Sequence, residues 1–365
     1  MTRPSPGSRF VDNPSFENTI ALEVSIKSPT PTLTVDLKKQ GQQLGYIRVP
    51  RSANLAGWGG LWLAVSFVSN GEGPTVLVLG GNHGDEYEGQ FATLDLIRTI
   101  DPDEVAGRLI MVPCLSPEAS RAGTRLWPSG ANFNRSFPGS PDGDTHEQLA
   151  DFFTRGLFPE CDYVIDLHSG GRSMVWSQMS HMHVVENLEQ RRAMLEGMLA
   201  FNSDFHLLYT DVAGSGLLPG EAERQGKVVI TTEAGGGGFP TRASLNGAYE
   251  GLRNVLRHIG VLQGKVATRA DLGKDPAVIL SATDASQYAF AHEAGLYETL
   301  IAPGERVESG QPMGLIHHPE RLDRQTEPVS APCDGIVAAC RAFPWVEQGT
   351  CVGVVGIPTT TDAIL

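Results

Sequence analysis

The chain has 365 residues, 41% of them hydrophobic and 19% charged, a globular balance that excludes a disordered chain. Lys plus Arg number 28 against 42 Asp plus Glu, and the net charge of −14 disfavours general nucleic-acid binders and proteins that dock on anionic lipid. No stretch of roughly 18 apolar residues is present, so no membrane span is expected.

The N-terminus, MTRPSPGSRFVDNPSF, lacks the apolar stretch of a secretory signal. Residues 1–31 are rich in Pro, Ser and Asn and are expected to form a loose arm, a candidate contact in a homo-oligomer. Residues 33–49 read as a β hairpin turning at Lys39–Gly41. Leu61–Ser69 is a strand candidate that ends at the Gly71-Glu72-Gly73 turn. Thr75–Leu79 (TVLVL) is a continuous apolar run, as in a parallel strand covered on both faces. A helix is expected from Asp85 to about Thr99, then a strand at Leu109–Val112. Glu147–Phe158 reads as helix, with Leu149, Phe152, Phe153 and Leu157 on its apolar side.

Tyr163–Leu167 (YVIDL) and Val228–Thr232 (VVITT) are two more buried strands. Leu188–Phe201 and Ala248–His258 are helices, the latter with Leu252, Val255 and Leu256 in register. Strands alternating with helices predict an α/β domain with a largely parallel sheet. After Gly264 the texture changes: residues 275–358 carry many short strands split by turns and predict a small all-β domain. The expected organisation is an arm and hairpin over 1–49, a catalytic α/β domain over 50–266, and a C-terminal β domain over 267–365.

Four segments carry chemistry: Gly80–Glu86 (GGNHGDE), Asn132–Arg135 (NFNR), Asp166–Gly171 (DLHSGG) and Thr232–Gly235 (TEAG). Three of them follow predicted parallel strands, and open α/β sheets bind ligands outside the carboxyl ends of those strands. His83, Glu86, His168 and Glu233 should therefore converge although they lie far apart in sequence. Two His and one Glu form a catalytic zinc set that leaves a fourth position for water. Each residue read singly also has a structural explanation: a helix cap for His83, a dipole partner for Glu86, a backbone-bonded buried ring for His168. Glu233 is the candidate general base, or else a strand-end carboxylate bonded to a neighbouring loop, and Asp166 either orients the His168 imidazole or serves as a structural partner to backbone N–H groups. Arg125 and Arg135 are candidate forks for a substrate carboxylate, with amide bonds from Asn132 and Asn134. The Gly-, Pro- and Asn-rich segment 123–139 that holds them reads as a loop over the site.

The set GGNHGDEYEG, NFNRSFPG, DLHSGG and TTEAGG resembles the succinylglutamate desuccinylase/aspartoacylase family, a branch of the zinc carboxypeptidase-like fold, over roughly residues 45–355. The resemblance implies one zinc per chain on His83, Glu86 and His168, with Glu233 as catalytic glutamate. It implies that Asn134 and Arg135 bind the substrate carboxylate, with Arg125 a further arginine of that loop, and that the C-terminal β domain covers the active-site mouth. RAGTR at 121–125 followed by NFNRSFPG is similar to the subgroup that includes N-acetyl-diaminobutyrate deacetylases. Two departures, Asn132 where many relatives carry Asp and the Leu126-Trp127 pair after Arg125, leave acyl and amine specificity open.

Lesser features have plainer readings. Met174–His183 is expected to be a half-buried strand rather than a second metal site. His317 and His318 point to opposite faces of a strand. The five cysteines are odd in number and include no C-x-x-C pair, so a reducing cytoplasm is expected, with Cys114 and Cys161 in the core. The expected function is zinc-dependent hydrolysis of a small N-acyl amino acid. A peptide-trimming metallocarboxypeptidase and a catalytically silent metal-binding module are the alternatives.

Overall fold

The computed structural model describes residues 30–54, 56–212 and 214–365, so the arm expected over 1–31 lies, except for its last two residues, outside the described part. Thr32–Leu33 (β1) pairs antiparallel with Gly41–Ala53 (β2), the predicted hairpin, and β2 runs back along Ala56–Asn70 (β3). Next come Thr75–Gly80 (β4), Gly107–Val112 (β5) and Tyr163–His168 (β6), with β4 paired in parallel to both neighbours. Met174–Trp176 (β7), Met179–His183 (β8), Phe205–Tyr209 (β9), Val228–Glu233 (β10) and Val278–Ala282 (β11) follow. Across the sheet the order is β3, β5, β4, β6, β10, β8, β9, β11, with β3–β5 and β10–β8 antiparallel and the rest parallel.

The apolar runs explain why the sheet is covered on both faces. Val76 and Val78 of β4 pack with Leu96 of the helix Glu88–Thr99 (α1) and with Leu252, Val255 and Leu256 of a helix over Arg242–Ile259. Leu77 and Leu79 face the other way, toward Phe133, Phe153 and Phe158 and toward Met194 and Met198 of the helix Leu188–Ala200. A strand that alternates between two apolar layers must be apolar at every position.

Helix boundaries shift for local reasons. The first helix starts at Glu88 rather than Asp85, so His83 and Glu86 both lie in the turn before it. There Gly81 adopts φ +62°, and a side chain on Gly84 would run into the Ala119 backbone of the short helix Pro117–Ala122 (α2). Glu147–Phe158 is helical only as Thr145–Phe152 (α3), then widens over Phe153–Leu157 ahead of Pro159, which cannot continue the ladder. After the Leu188–Ala200 helix (α4) and the short helix Leu218–Arg224 (α5), the last long helix, Arg242–Ile259 (α6), begins six residues before the predicted Ala248. Thr241 caps it by accepting from the Ser244 N–H at 3.0 Å, a polar first turn that apolar spacing cannot reveal.

Beyond β11 the C-terminal region is antiparallel β structure, with a helical turn at Ala285–Gln287 and a short helix at Thr361–Ile364 that the expected all-β reading did not include. Tyr288–Phe290 (β12), Gly295–Thr299 (β13), Arg306–Val307 (β14), Pro312–His317 (β15), Glu327–Ser330 (β16), Gly335–Arg341 (β17), Trp345–Val346 (β18) and Cys351–Thr359 (β19) pair antiparallel around Met313, Ile316, Val337, Val352 and Val355. β16, β15, β13 and β18 form a separate sheet. The long β19 joins β11 through Ile357–Thr359 and β17 through Gly353–Gly356, so the main sheet continues into this region.

Candidate active site

β4, β6 and β10 lie side by side, and their carboxyl ends deliver the chemistry. The turn after β4 carries His83 and Glu86, β6 ends at His168, and β10 ends at Glu233, whose register partner is His168. Close packing fixes that alignment: a side chain on Gly89, in the first turn of α1, would strike the Leu167 carbonyl beside His168.

The His83, Glu86 and His168 side chains are buried, and their ligand atoms all lie within 4.8 Å of one another. Nδ1 of His83 is 2.7 Å from Oε1 of Glu86, and Nδ1 of His168 is 2.7 Å from its Oε2. The far nitrogen of His168, Nε2, is 2.9 Å from Oδ2 of Asp166, which also accepts from Asn82 Nδ2 at 2.9 Å. An imidazole that donates Nε2–H to a carboxylate keeps its Nδ1 lone pair for a metal ion. Nδ1 of His83 and Nδ1 of His168 around the one Glu86 carboxylate make a donor set able to bind a metal ion. Burial opposes a charge on His168, but the Asp166 and Glu86 carboxylates on either side hold its imidazole well above its ordinary range. Burial alone would raise the Glu86 carboxyl, but the two imidazoles hold it well below its ordinary range. Burial pushes His83 down to about 4, leaving its ring neutral. Asp166→Ala removes the acceptor that fixes the His168 ring. A loss of metal affinity of roughly 10–100-fold is expected, measured by competition with a chelating dye.

Glu233 has one buried oxygen, Oε2, without a hydrogen-bond partner among the described residues. Burial pushes its carboxyl up to about 8, and the Glu86 charge adds to the effect. It lines a cavity of about 170 Å3 together with Arg135, Tyr209 and Asp211.

Arg135 makes no ion pair among the described residues, and its Nη1 donates to the Asn134 carbonyl at 2.7 Å. Arg125 stands closer to the donor set, its Nη1 3.0 Å from Oε1 of Glu86. The asparagines shape the loop. Asn132 Oδ1 accepts from the Asn134 N–H at 3.1 Å, and Asn134 Oδ1 accepts from the Leu218 N–H at 2.8 Å. Asp85 is also structural, accepting from the Arg172 N–H at 2.9 Å and so tying the first motif to the third.

The Met- and His-rich stretch is two short strands, β7 and β8. His181 is buried and neutral, pushed down to about 3 by burial, with Nε2 3.1 Å from the Thr232 carbonyl. His183 lies 2.7 Å from Glu223 and 3.1 Å from Asp211, carboxylates that the sequence did not place beside it. Burial opposes its charge, but the two carboxylates hold its pKa up at about 9. A histidine raised on folding stabilises fully below its unfolded value of about 6.5, and that gain is lost as pH rises through the folded value. The melting temperature is therefore expected to fall between about pH 7 and pH 10, with His183→Gln flattening the fall, as followed by calorimetry. A second group, Glu293, His318 and Glu327, is bridged by Arg324, which lies 2.5 Å from each carboxylate, and reads as a surface ion-pair cluster.

Tyr209 and Asp211 were not singled out by sequence. β9 runs parallel to β8 and therefore antiparallel to β4, β6 and β10, so Tyr209 and Asp211 come from a strand end directed away from the motifs, where the strand-end rule gives no signal.

Fold and donor set together define the class: an α/β protein with a set of side chains able to hold a metal ion at the carboxyl ends of its parallel strands. The family model for the succinylglutamate desuccinylase/aspartoacylase catalytic domain matches residues 72–259, and the chain belongs to that family. It is 38% identical over 329 residues to N-alpha-acetyl-L-2,4-diaminobutyric acid deacetylase of Halomonas elongata, covering 90% of this chain and 95% of that protein. It is similar to the product-bound ectoine utilization protein EutE (DoeB) of Ruegeria pomeroyi, with a TM-score of 0.86, 35% identity, and coverage of 91% of this chain and 100% of the other. A succinylglutamate desuccinylase from Silicibacter sp. TM1040 aligns with a TM-score of 0.85 and 34% identity over 92% of this chain and 100% of its own.

Proposed function

We propose that this protein is a zinc-dependent deacylase that hydrolyses the amide of a small N-acyl amino acid, in the manner of N-acetyl-diaminobutyrate. The observation that carries the reading is the convergence of His83, Glu86 and His168 at one strand end, with the unpartnered Glu233 carboxylate on the next strand. The identity to the Halomonas deacetylase supports the substrate class.

His83, Glu86 and His168 would hold the zinc, with Asp166 fixing the His168 tautomer. Zinc bound there supplies Lewis acidity, polarising the amide carbonyl and lowering the pKa of water. Glu233 takes the proton of the attacking water and returns it to the leaving nitrogen, which departs as the amine. Arg135 offers its guanidinium to the substrate carboxylate, helped by Arg125. Asn132 and Asn134, whose carbonyl oxygens are spent on the loop, offer their amide N–H groups. A cavity of about 170 Å3 suits a small acyl amino acid better than a peptide. The five free cysteines suit a reducing cytoplasm.

Amine release should be measured on acetyl-diaminobutyrate, acetyl-aspartate, succinyl-glutamate and a blocked dipeptide. Preferred turnover of one acyl amino acid is expected. Preference for the dipeptide would favour a metallocarboxypeptidase, and no turnover of any would favour a silent metal-binding module.

A further inference from the structure

The cavity beside Glu233 carries both signs of charge. Arg135 lines it without an ion pair among the described residues, and Asp211, at the end of β9, lines it too. The two come from different elements that pack together. The loop after Asp211 meets the Arg135 loop where the Phe137 N–H donates to the Gly216 carbonyl at 3.1 Å and the Leu218 N–H donates to Asn134. Asp211 is partly exposed, its side chain at 29%, so one face of the carboxylate remains open to a ligand.

Its neighbours leave a net negative charge there. Asp211 and Glu223 share one histidine, His183. With that ring protonated, two carboxylates meet one cation and the trio carries −1. Of the three, Asp211 is the one that lines the cavity, where its carboxylate and the Arg135 guanidinium match a ligand bearing both an ammonium and a carboxylate. A ligand with a carboxylate alone would satisfy Arg135 and leave Asp211 unanswered, and a second carboxylate would meet repulsion there.

We propose that Asp211 is the specificity-determining residue for the amine half of the substrate, receiving a side-chain ammonium while Arg135 receives the carboxylate, so that the site selects N-acyl diamino acids over neutral and acidic N-acyl amino acids. This rests on the deacylase reading above and adds the side chain's charge as the property selected. His183 acts as a positioning residue that holds Asp211 against the cavity.

The test compares kcat/KM for N-acetyl-diaminobutyrate with that for N-acetyl-norvaline, in which a methyl replaces the ammonium at equal size. A charge-assisted bond predicts that the wild type favours the diamino substrate by roughly 10–100-fold. Asp211→Asn should collapse that ratio by at least about tenfold, largely through KM, and Asp211→Glu should restore part of it. Selectivity that survives in Asp211→Asn, or a wild type that turns over both substrates equally, overturns the inference and leaves the deacylase reading intact. Loss of both substrates to the same degree in Asp211→Asn and Asp211→Glu makes Asp211 structural and also overturns it. A wild type that hydrolyses neither of these nor any other acyl amino acid overturns the deacylase reading, and this inference with it.

Discussion

Glu233→Gln is expected to lower kcat by roughly 10²–10⁴-fold, the range for removal of a positioned acid–base group. Glutamine keeps the volume and the strand-end position but cannot accept the proton of the attacking water. The geometry makes the test clean. Glu233 lies outside the His83, Glu86 and His168 set, so metal content should not change. Its Oε2 has no hydrogen-bond partner among the described residues, so the substitution breaks no bond at that atom. The loss should appear in kcat and kcat/KM alike, the pattern of an interaction made only in the transition state. A change confined to KM would assign Glu233 to ground-state binding instead.

His83→Ala should have the second large effect, on metal retention and turnover together. His83 offers the cleaner ligand deletion. Its ring makes one bond, to Glu86, and its Nε2 has no partner among the described residues. Removing His168 would instead leave the buried Asp166 carboxylate without its imidazole partner, and a buried charge that loses its ion-pair partner costs about 3–5 kcal/mol. With two ligands left, metal affinity should fall by more than the roughly 10–100-fold expected from loss of a supporting residue such as Asp166. Elemental analysis after gel filtration reads retention directly, and calorimetric melting separates metal loss from unfolding. Full retention of metal in His83→Ala would remove that residue from the donor set.

Much of this site was legible because its scaffold is apolar and local. TVLVL, YVIDL and VVITT are continuous apolar runs, and such runs place the following polar residues at strand ends. His83, Glu86, His168 and Glu233 could then be assigned to one side of one sheet, and β4, β6 and β10 are indeed neighbours. The limits were equally physical. Glu86 was expected in a helical turn, but packing of Gly84 on Ala119 keeps the chain out of helix until Glu88, and α2 is too short for apolar periodicity to announce. Asp211 and its bond to His183 are a pairing across 28 residues between strand ends, and no local pattern encodes it. The change of texture near Gly264 precedes β11, which still joins the main sheet parallel to β9, and the antiparallel strands follow from β12. It could not show that β19 would bridge β11 and β17 in one sheet, because strand pairing depends on partners distant in sequence.

The central claim is that hydrolysis depends on a metal ion at His83, Glu86 and His168. The most direct measurement is metal content per chain, followed by amine release from N-acetyl-diaminobutyrate before chelation, after chelation and after zinc is returned. The account predicts about one zinc per chain, activity that disappears with the metal, and recovery near one equivalent. Undiminished hydrolysis by the fully stripped protein, or no bound metal and no zinc-restored activity, would contradict it.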